Sequence, residues 1–276
     1  MSDPRPPLVD THCHLNLPEF ERDRAEVLGR AAVAGLEAMV IPAVDLVTSR
    51  GAVGLAEQND SLFAAVGIHP HAADDWSEAS RLELRSLARS SRVVAIGEIG
   101  LDYYRDRTPR PIQQTALEAQ LDLAAELGLP VILHSRQATE AILETLRPWA
   151  LSLPAPLKGR CGVLHAFDGD LQVALDAADA GFYLGIGGPL TYPSASGLRG
   201  ILARAPDARL LLETDAPYLP PQGHRGQRNE PSFLPLVAAR LASLRGWEPA
   251  QAAQRTTANA ACLFGWTHGT DDRHIL

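Results

Sequence analysis

Leu8-Val9-Asp10-Thr11-His12-Cys13-His14 is the stretch on which the fold reading turns. Its apolar start reads as the end of a short buried strand. Side chains alternate along an extended chain, so His12 and His14 project to one side and Cys13 to the other. Two imidazoles at a strand end form half of a divalent-cation site, and neutral imidazole is the commonest metal ligand. An open, doubly wound α/β sheet normally carries a glycine-rich phosphate turn after its first strand. Here that place holds His-Cys-His, which favours a closed barrel over the open sheet.

The rest of the chain keeps the same rhythm. Short apolar runs at 8–10, 38–41, 62–66, 93–96, 131–133, 162–164, 182–186 and 210–212 read as strands. Helix-like segments separate them at 19–34, 48–59, 76–90, 111–127, 138–147, 171–180 and 197–205, and two more follow at 231–244 and 249–264. Thr48 is the expected N-cap of the second helix. Eight strands alternating with helices imply a parallel sheet. With 276 residues and 46% hydrophobic content, they predict one α/β domain, a (β/α)8 TIM barrel spanning 8–276 behind a disordered lead-in at 1–7.

Composition narrows the classes of function. No apolar run is long enough to span a bilayer as a helix, and the first residues lack the apolar segment of a secretory signal. Cys13, Cys161 and Cys262 are too few and too scattered for a disulfide framework, so a reducing cytoplasm is expected. The net charge of −8 excludes a passive nucleic-acid coat but not a phosphate-bearing substrate, because local arginines and metal ions set the field in one cleft.

The polar residues that follow the strands carry the chemistry. His12 and His14 follow the first strand, His69 and His71 the third, Glu98 and Asp102 the fourth, and His134 the fifth. His165 follows the sixth, and Glu213 and Asp215 the eighth. In a parallel barrel all of these lie at the C-terminal rim. Imidazole and carboxylate ligands suit zinc, manganese, iron or magnesium. A natural partition is two ions sharing Glu98, one carboxylate oxygen to each, as in two-metal hydrolytic sites. Lys158 is the only lysine and falls ahead of a strand, at the opposite rim, so no carboxylated lysine is available as a bridge.

Taken together, Asp10-Thr11-His12-Cys13-His14, Gly67-Ile68-His69-Pro70-His71, Gly97-Glu98-Ile99-Gly100-Leu101-Asp102-Tyr103-Tyr104, His134-Ser135-Arg136 and Glu213-Thr214-Asp215-Ala216-Pro217-Tyr218-Leu219 resemble the TatD family of metal-dependent deoxyribonucleases. Arg225-Gly226-Gln227-Arg228-Asn229-Glu230-Pro231 joins them, and the resemblance runs from Leu8 to about Phe264. It implies an amidohydrolase-like barrel with two divalent ions (Zn, Mg or Mn). His12, His14 and Asp215 would hold one, His134 and His165 the other, with Glu98 between them. One motif departs: the family's usual His-Cys-Phe-Thr-Gly reads His165-Ala166-Phe167-Asp168-Gly169, and Asp168 adds negative charge near the cleft.

The expected activity is phosphodiester hydrolysis, a 3'-5' exodeoxyribonuclease on single-stranded or damaged DNA. Glu98 and Asp215 would be its catalytic carboxylates, with Asp215 as general base. Arg136 is a candidate phosphate clamp through its planar fork. His69, His71 and Arg225 are candidate substrate contacts, with a structural role open for each. Tyr103 and Tyr104 sit where one could stack on a base. The alternatives are a D-aminoacyl-tRNA deacylase using the same residues and a non-catalytic metal-binding accessory of DNA repair. A monomer with DNA (or tRNA) as substrate and no membrane partner is expected.

Overall fold

The computed structural model describes residues 6–266. Its strands are β1 (Leu8–Asp10), β2 (Leu36–Pro42), β3 (Leu62–Val66), β4 (Val93–Asp102), β5 (Val131–Arg136), β6 (Gly162–Leu164), β7 (Phe182–Ile186) and β8 (Leu210–Leu212). They lie side by side in chain order, every pair parallel. Helices α1 (Arg24–Val33), α2 (Leu46–Gln58), α3 (Glu78–Leu87), α4 (Arg110–Leu127), α5 (Thr139–Ser152), α6 (Leu171–Asp179) and α7 (Ser196–Leu202) connect them, and α8 (Leu234–Arg245) and α9 (Pro249–Phe264) follow β8. Thr11 N donates to Leu212 O at 3.0 Å and Cys13 bridges to Ala216, so β8 returns to β1. The sheet is a nearly closed (β/α)8 barrel, as the alternation predicts.

Two apolar layers follow from the period of the strands. Val40, Ala65, Ile132, Val163, Tyr183 and Leu211 form one buried cluster, joined by Ala260, Leu263 and Phe264 of α9. Their strand neighbours Met39, Ile41, Val131, Leu133, Leu164 and Leu212 belong to the other cluster, packed with the outer helices. The first layer is the barrel lumen. His134 and His165 share the parity of Ile132 and Val163, two residues on, and therefore project from the lumen face at the rim.

Several boundaries differ from the sequence reading. β4 and β5 run on to Asp102 and Arg136, because they stay paired in register through Gly100 with His134 and Asp102 with Arg136. A polar, glycine-broken segment hides that continuation from any apolar pattern. Thr48 does not cap α2. Asp45 does, its carboxylate accepting from Thr48 N at 2.8 Å while Thr48 Oγ1 accepts from Asp45 N at 2.9 Å, a reciprocal capping box. α1 starts at Arg24 because Pro18–Phe20 form a separate tight turn. α5 continues through Pro148 to Ser152. Residues 1–5 of the expected lead-in, and 267–276 of the expected domain, lie outside the described residues. Pro7 is already held, accepting from Thr257 Oγ1 at 2.9 Å.

Candidate metal centre

Glu98 reaches the centre of the rim through an irregularity in the sheet. Between Ile96 and Ile99 β4 advances three residues, while β5 advances two, from Val131 to Leu133. The extra residue is a bulge, a device that re-aims a side chain. Glu98 N donates to Ala43 O at 2.8 Å, which ties the bulge to the end of β2.

Two groups of donor atoms divide around this carboxylate. Glu98 Oε2 lies 3.4 Å from His12 Nε2 and 3.7 Å from His14 Nε2, and Asp215 Oδ1 lies 3.7 and 3.6 Å from the same two nitrogens. The two imidazole nitrogens are 3.1 Å apart. Glu98 Oε1 faces the other way, 2.9 Å from His134 Nδ1, 3.2 Å from His165 Nε2 and 3.5 Å from His69 Nε2. Each oxygen of one buried carboxylate thus meets its own set of nitrogens. Lys158 is exposed before β6, at the opposite rim.

The elements that aim these groups are specific. Asp10 Oδ1 accepts from Thr214 N at 2.9 Å and from His12 N at 3.2 Å, and Oδ2 accepts from the Thr214 hydroxyl at 2.6 Å. That knot locks the tip of β1 to the tip of β8, so His12, His14 and Asp215 keep one geometry. Asp215 sits in the left-handed region at φ 56°, which Asp tolerates better than most residues, and its N–H donates to His12 O at 2.8 Å. Asn229 Nδ2 donates to the carbonyls of Thr214 and Tyr218 at 2.7 Å each, holding the loop after β8.

Two fully buried glutamines on α4 fix the other half. Gln120 clasps Ile68 through both backbone groups at 2.7 and 3.0 Å, just before His69. Gln113 accepts from Asp102 N at 2.8 Å and donates to Asp102 O at 3.2 Å. Neither stands out in the sequence. Their signal is a polar pair seven residues apart on an otherwise apolar helix face.

Behind the cluster stand further carboxylates. Asp102 Oδ2 is 2.8 Å from His71 Nε2 and 3.2 Å from His134 Nε2. Glu213 Oε1 is 3.5 Å from His165 Nδ1. A carboxylate behind an imidazole fixes the tautomer and raises the basicity of the opposite nitrogen. His71 therefore props Asp102 and does not line the cluster. His69 is distinguished by its backbone partner: its Nδ1 accepts from His71 N at 3.1 Å. In the neutral ring the proton then sits on Nε2, the nitrogen that faces Glu98. His69 is thus arranged as a hydrogen-bond donor, although its atoms lie within reach of Glu98 and His134 as a third ligand group.

Burial and charge act in opposition here. Burial raises the pKa of Glu98, but His165, His69 and His12 outweigh it and hold the carboxyl well below its ordinary range. Burial raises that of Asp215 too, and the His14 hydrogen bond with the charges of His165 and His12 brings it down. Burial lowers His12, and lowers His69 to about 4, keeping both rings neutral near pH 7. His134 and His165 move upward against burial, the former through Asp102 and Glu98, the latter through Glu98 and Glu213. Burial pushes the Asp10 carboxyl up to about 7. His12 Nδ1, His14 Nδ1 and Glu213 Oε2 are buried without a partner. Carboxylates that raise the proton affinity of the imidazoles they face are the setting in which divalent cations compete with protons on binding.

The cluster opens into a cavity of about 600 Å³, whose wall includes His134, Arg136, His165 and Asp215. Arg136 stacks over Tyr104 at 4.1 Å and makes no ion pair among the described residues. Arg225 lies over Tyr192 at 4.7 Å and is not part of that wall. Arg228 and Glu230 form a salt-bridged knot with Asp23 and Arg30, at 2.6 Å for Arg228–Asp23 and 2.7 Å for Arg30–Glu230. Tyr104 is half-exposed beside the rim, while Tyr103 is covered by Arg110 at 4.3 Å. No helix of the described residues is long and apolar enough to cross a membrane.

Replacing Asp102 by Asn should keep the turn that its Oδ1 makes with Tyr104 N and Arg105 N while removing the anion behind His134. Metal affinity at the His134 side is expected to fall roughly 10–100-fold. Zinc titration of metal-free protein checks this. Unchanged affinity at both sides would remove Asp102 from that role.

Comparison with known proteins agrees with this geometry. The TatD related DNase family matches residues 9–265. The uncharacterized metal-dependent hydrolase YabD of Bacillus subtilis is 38% identical over 257 residues, 93% of this chain and 98% of its own. The 3'-5' ssDNA/RNA exonuclease TatD of Klebsiella pneumoniae is 38% identical over 263 residues, 94% and 98% respectively. The crystal structure of YjjV, a TatD homologue from Escherichia coli, superposes with a TM-score of 0.87 at 39% identity, covering 94% of this chain and 98% of that one. With a barrel of that shape and histidines and carboxylates gathered at its C-terminal rim, the chain belongs to the TatD related DNase family of metal-dependent hydrolases.

Proposed function

We propose that the protein is a metal-dependent phosphodiesterase that removes nucleotides from the 3' end of single-stranded DNA. The observation that carries this reading is the division of donors around Glu98, whose two oxygens face separate sets of ring nitrogens. His12, His14 and Asp215 would hold one divalent ion, His134 and His165 the second, and Glu98 both. When bound, such ions supply Lewis acidity toward phosphoryl oxygens and acidify water. Zinc suits the histidine-rich set, while manganese and magnesium suit the carboxylates.

The chain's own residues then do the following. Asp215, kept ionised and open to the cavity, takes the proton of the attacking water. His69 offers its Nε2 proton to an oxygen of the phosphate. Arg136, whose guanidinium makes no ion pair among the described residues, clamps a phosphate of the strand. His71 and Glu213 orient the groups in front of them. The relatives named as 3'-5' ssDNA/RNA exonucleases supply the direction and the class of substrate.

The test uses protein stripped of metal and reloaded with zinc, manganese or magnesium, given 5'-labelled single-stranded DNA and, separately, a D-aminoacyl-tRNA. A ladder of shortening DNA products is expected. Release of the D-amino acid with intact DNA would replace the nuclease with the deacylase. Tight metal binding with neither reaction would leave a non-catalytic binder.

A further inference from the structure

The cavity extends well past the residues gathered around Glu98. Beyond His134, His165 and Asp215 its wall is largely apolar: Phe167 after β6, Ile186 at the end of β7, Leu198 and Ile201 on α7, and Leu219 after β8. A volume of about 600 Å³ lies in the range of small-molecule pockets. A bare phosphate needs neither that volume nor that lining. A phosphate carrying a ring on one side needs both. The polar side chains that join the apolar wall are few, and Asp168 is among them. Burial raises the pKa of its carboxyl, and the neighbouring charges of His134, Arg136 and His165 act against that rise. Whereas Asp170 caps α6 by accepting from Val173 N at 2.9 Å, the Asp168 carboxyl accepts from its own backbone N–H and has no side-chain hydrogen bond to another residue among the described residues.

We propose that this cavity is the subsite for the terminal nucleoside of the strand, its base against Phe167 and Ile201, with Asp168 accepting a hydrogen bond from an amino group of that base. This rests on the phosphodiesterase reading and adds a base preference to it. An ionised carboxylate only accepts. Adenine, cytosine and guanine each present an amino group, whereas thymine offers one N–H between two carbonyl oxygens. Asp168 therefore favours the amino bases and repels thymine.

The test measures release of the first nucleotide from four otherwise identical single strands ending in dA, dC, dG or dT, by the metal-loaded wild type and by Asp168→Asn. A second arm measures binding of dCMP and dTMP to both proteins. A charge-assisted hydrogen bond predicts that the wild type prefers dC or dA over dT by roughly tenfold in kcat/KM. The Asn side chain donates as well as accepts, so the variant should lose most of that ratio, chiefly by gaining on dT. Equal rates on all four ends in the wild type overturn the subsite, as does an equal gain on every end in the variant, which would mark a plain charge effect on the phosphates. Without turnover on any end, tenfold tighter dCMP than dTMP, abolished in the variant, keeps the subsite and sinks the nuclease. Without turnover and without that discrimination, both fall.

Discussion

Glu98→Ala is expected to lower hydrolysis by at least roughly 10³-fold, about 4 kcal/mol on the barrier. Although His165 also comes within ligand reach of His12 and Asp215, Glu98 is, among the described residues, the carboxylate whose two oxygens meet both donor sets. Its Oε2 closes the group of His12 and His14, and its Oε1 the group of His134 and His165. Removing it should weaken cation binding on both sides at once, where Asp102→Asn weakens one. The fold should survive. Glu98 is buried, and its own desolvation opposes its attraction to the imidazoles. Once it is gone, His134 and His165 can shed their protons and leave no unpaired charge behind. Melting of the metal-free variant near pH 8, beside its zinc stoichiometry and its rate on single-stranded DNA, makes the measurement complete. A variant that cuts near-normally would remove the shared carboxylate from the scheme.

The second large effect is on stability. Gly100 lies in the extended part of β4 at φ 141°, paired with His134. A Cβ there would collide with the His134 carbonyl oxygen of the neighbouring strand, which is backbone and cannot swing aside. Gly100→Ala should therefore cost about 4 kcal/mol or more, combining overlap with an unfavourable backbone angle. For a chain of this size that is a fall of roughly 10 °C in Tm. Gly200→Ala is the control. Gly200 is inside α7 with nothing within 4 Å of its would-be Cβ, and an alanine there should be neutral or raise stability by up to about 1 kcal/mol. A Gly100→Ala protein that melts with the wild type would mean that β4 and β5 are not so closely paired at the rim.

The barrel and its polar rim were legible because burial on both faces makes parallel strands continuous apolar runs, and because six of the eight runs are followed by histidines or carboxylates. The eight runs fall on the eight strands, and His12, His14, Glu98, His134, His165 and Asp215 converge. What could not be read follows from interactions that leave no local pattern. The continuation of β4 through Gly97-Glu98-Ile99-Gly100 depends on pairing with β5. The roles of His69 and His71 depend on which partner meets each ring nitrogen, a contact with Asp102 in one case and a backbone N–H in the other. Arg225 and Arg228 share one arginine-rich stretch, yet one covers a tyrosine and the other pairs with Asp23. Gln113 and Gln120 act through backbone groups that no sequence pattern names.

The seam where β8 meets β1 has a consequence for how the molecule is made. His12 and His14 leave the ribosome early, and Asp215 follows some two hundred residues later, yet the Asp10 knot with Thr214 must form before the three stand together. On the proposed ligand set, a growing polypeptide completes the Glu98, His134 and His165 side first, and the side that needs Asp215 only once its last strand has docked.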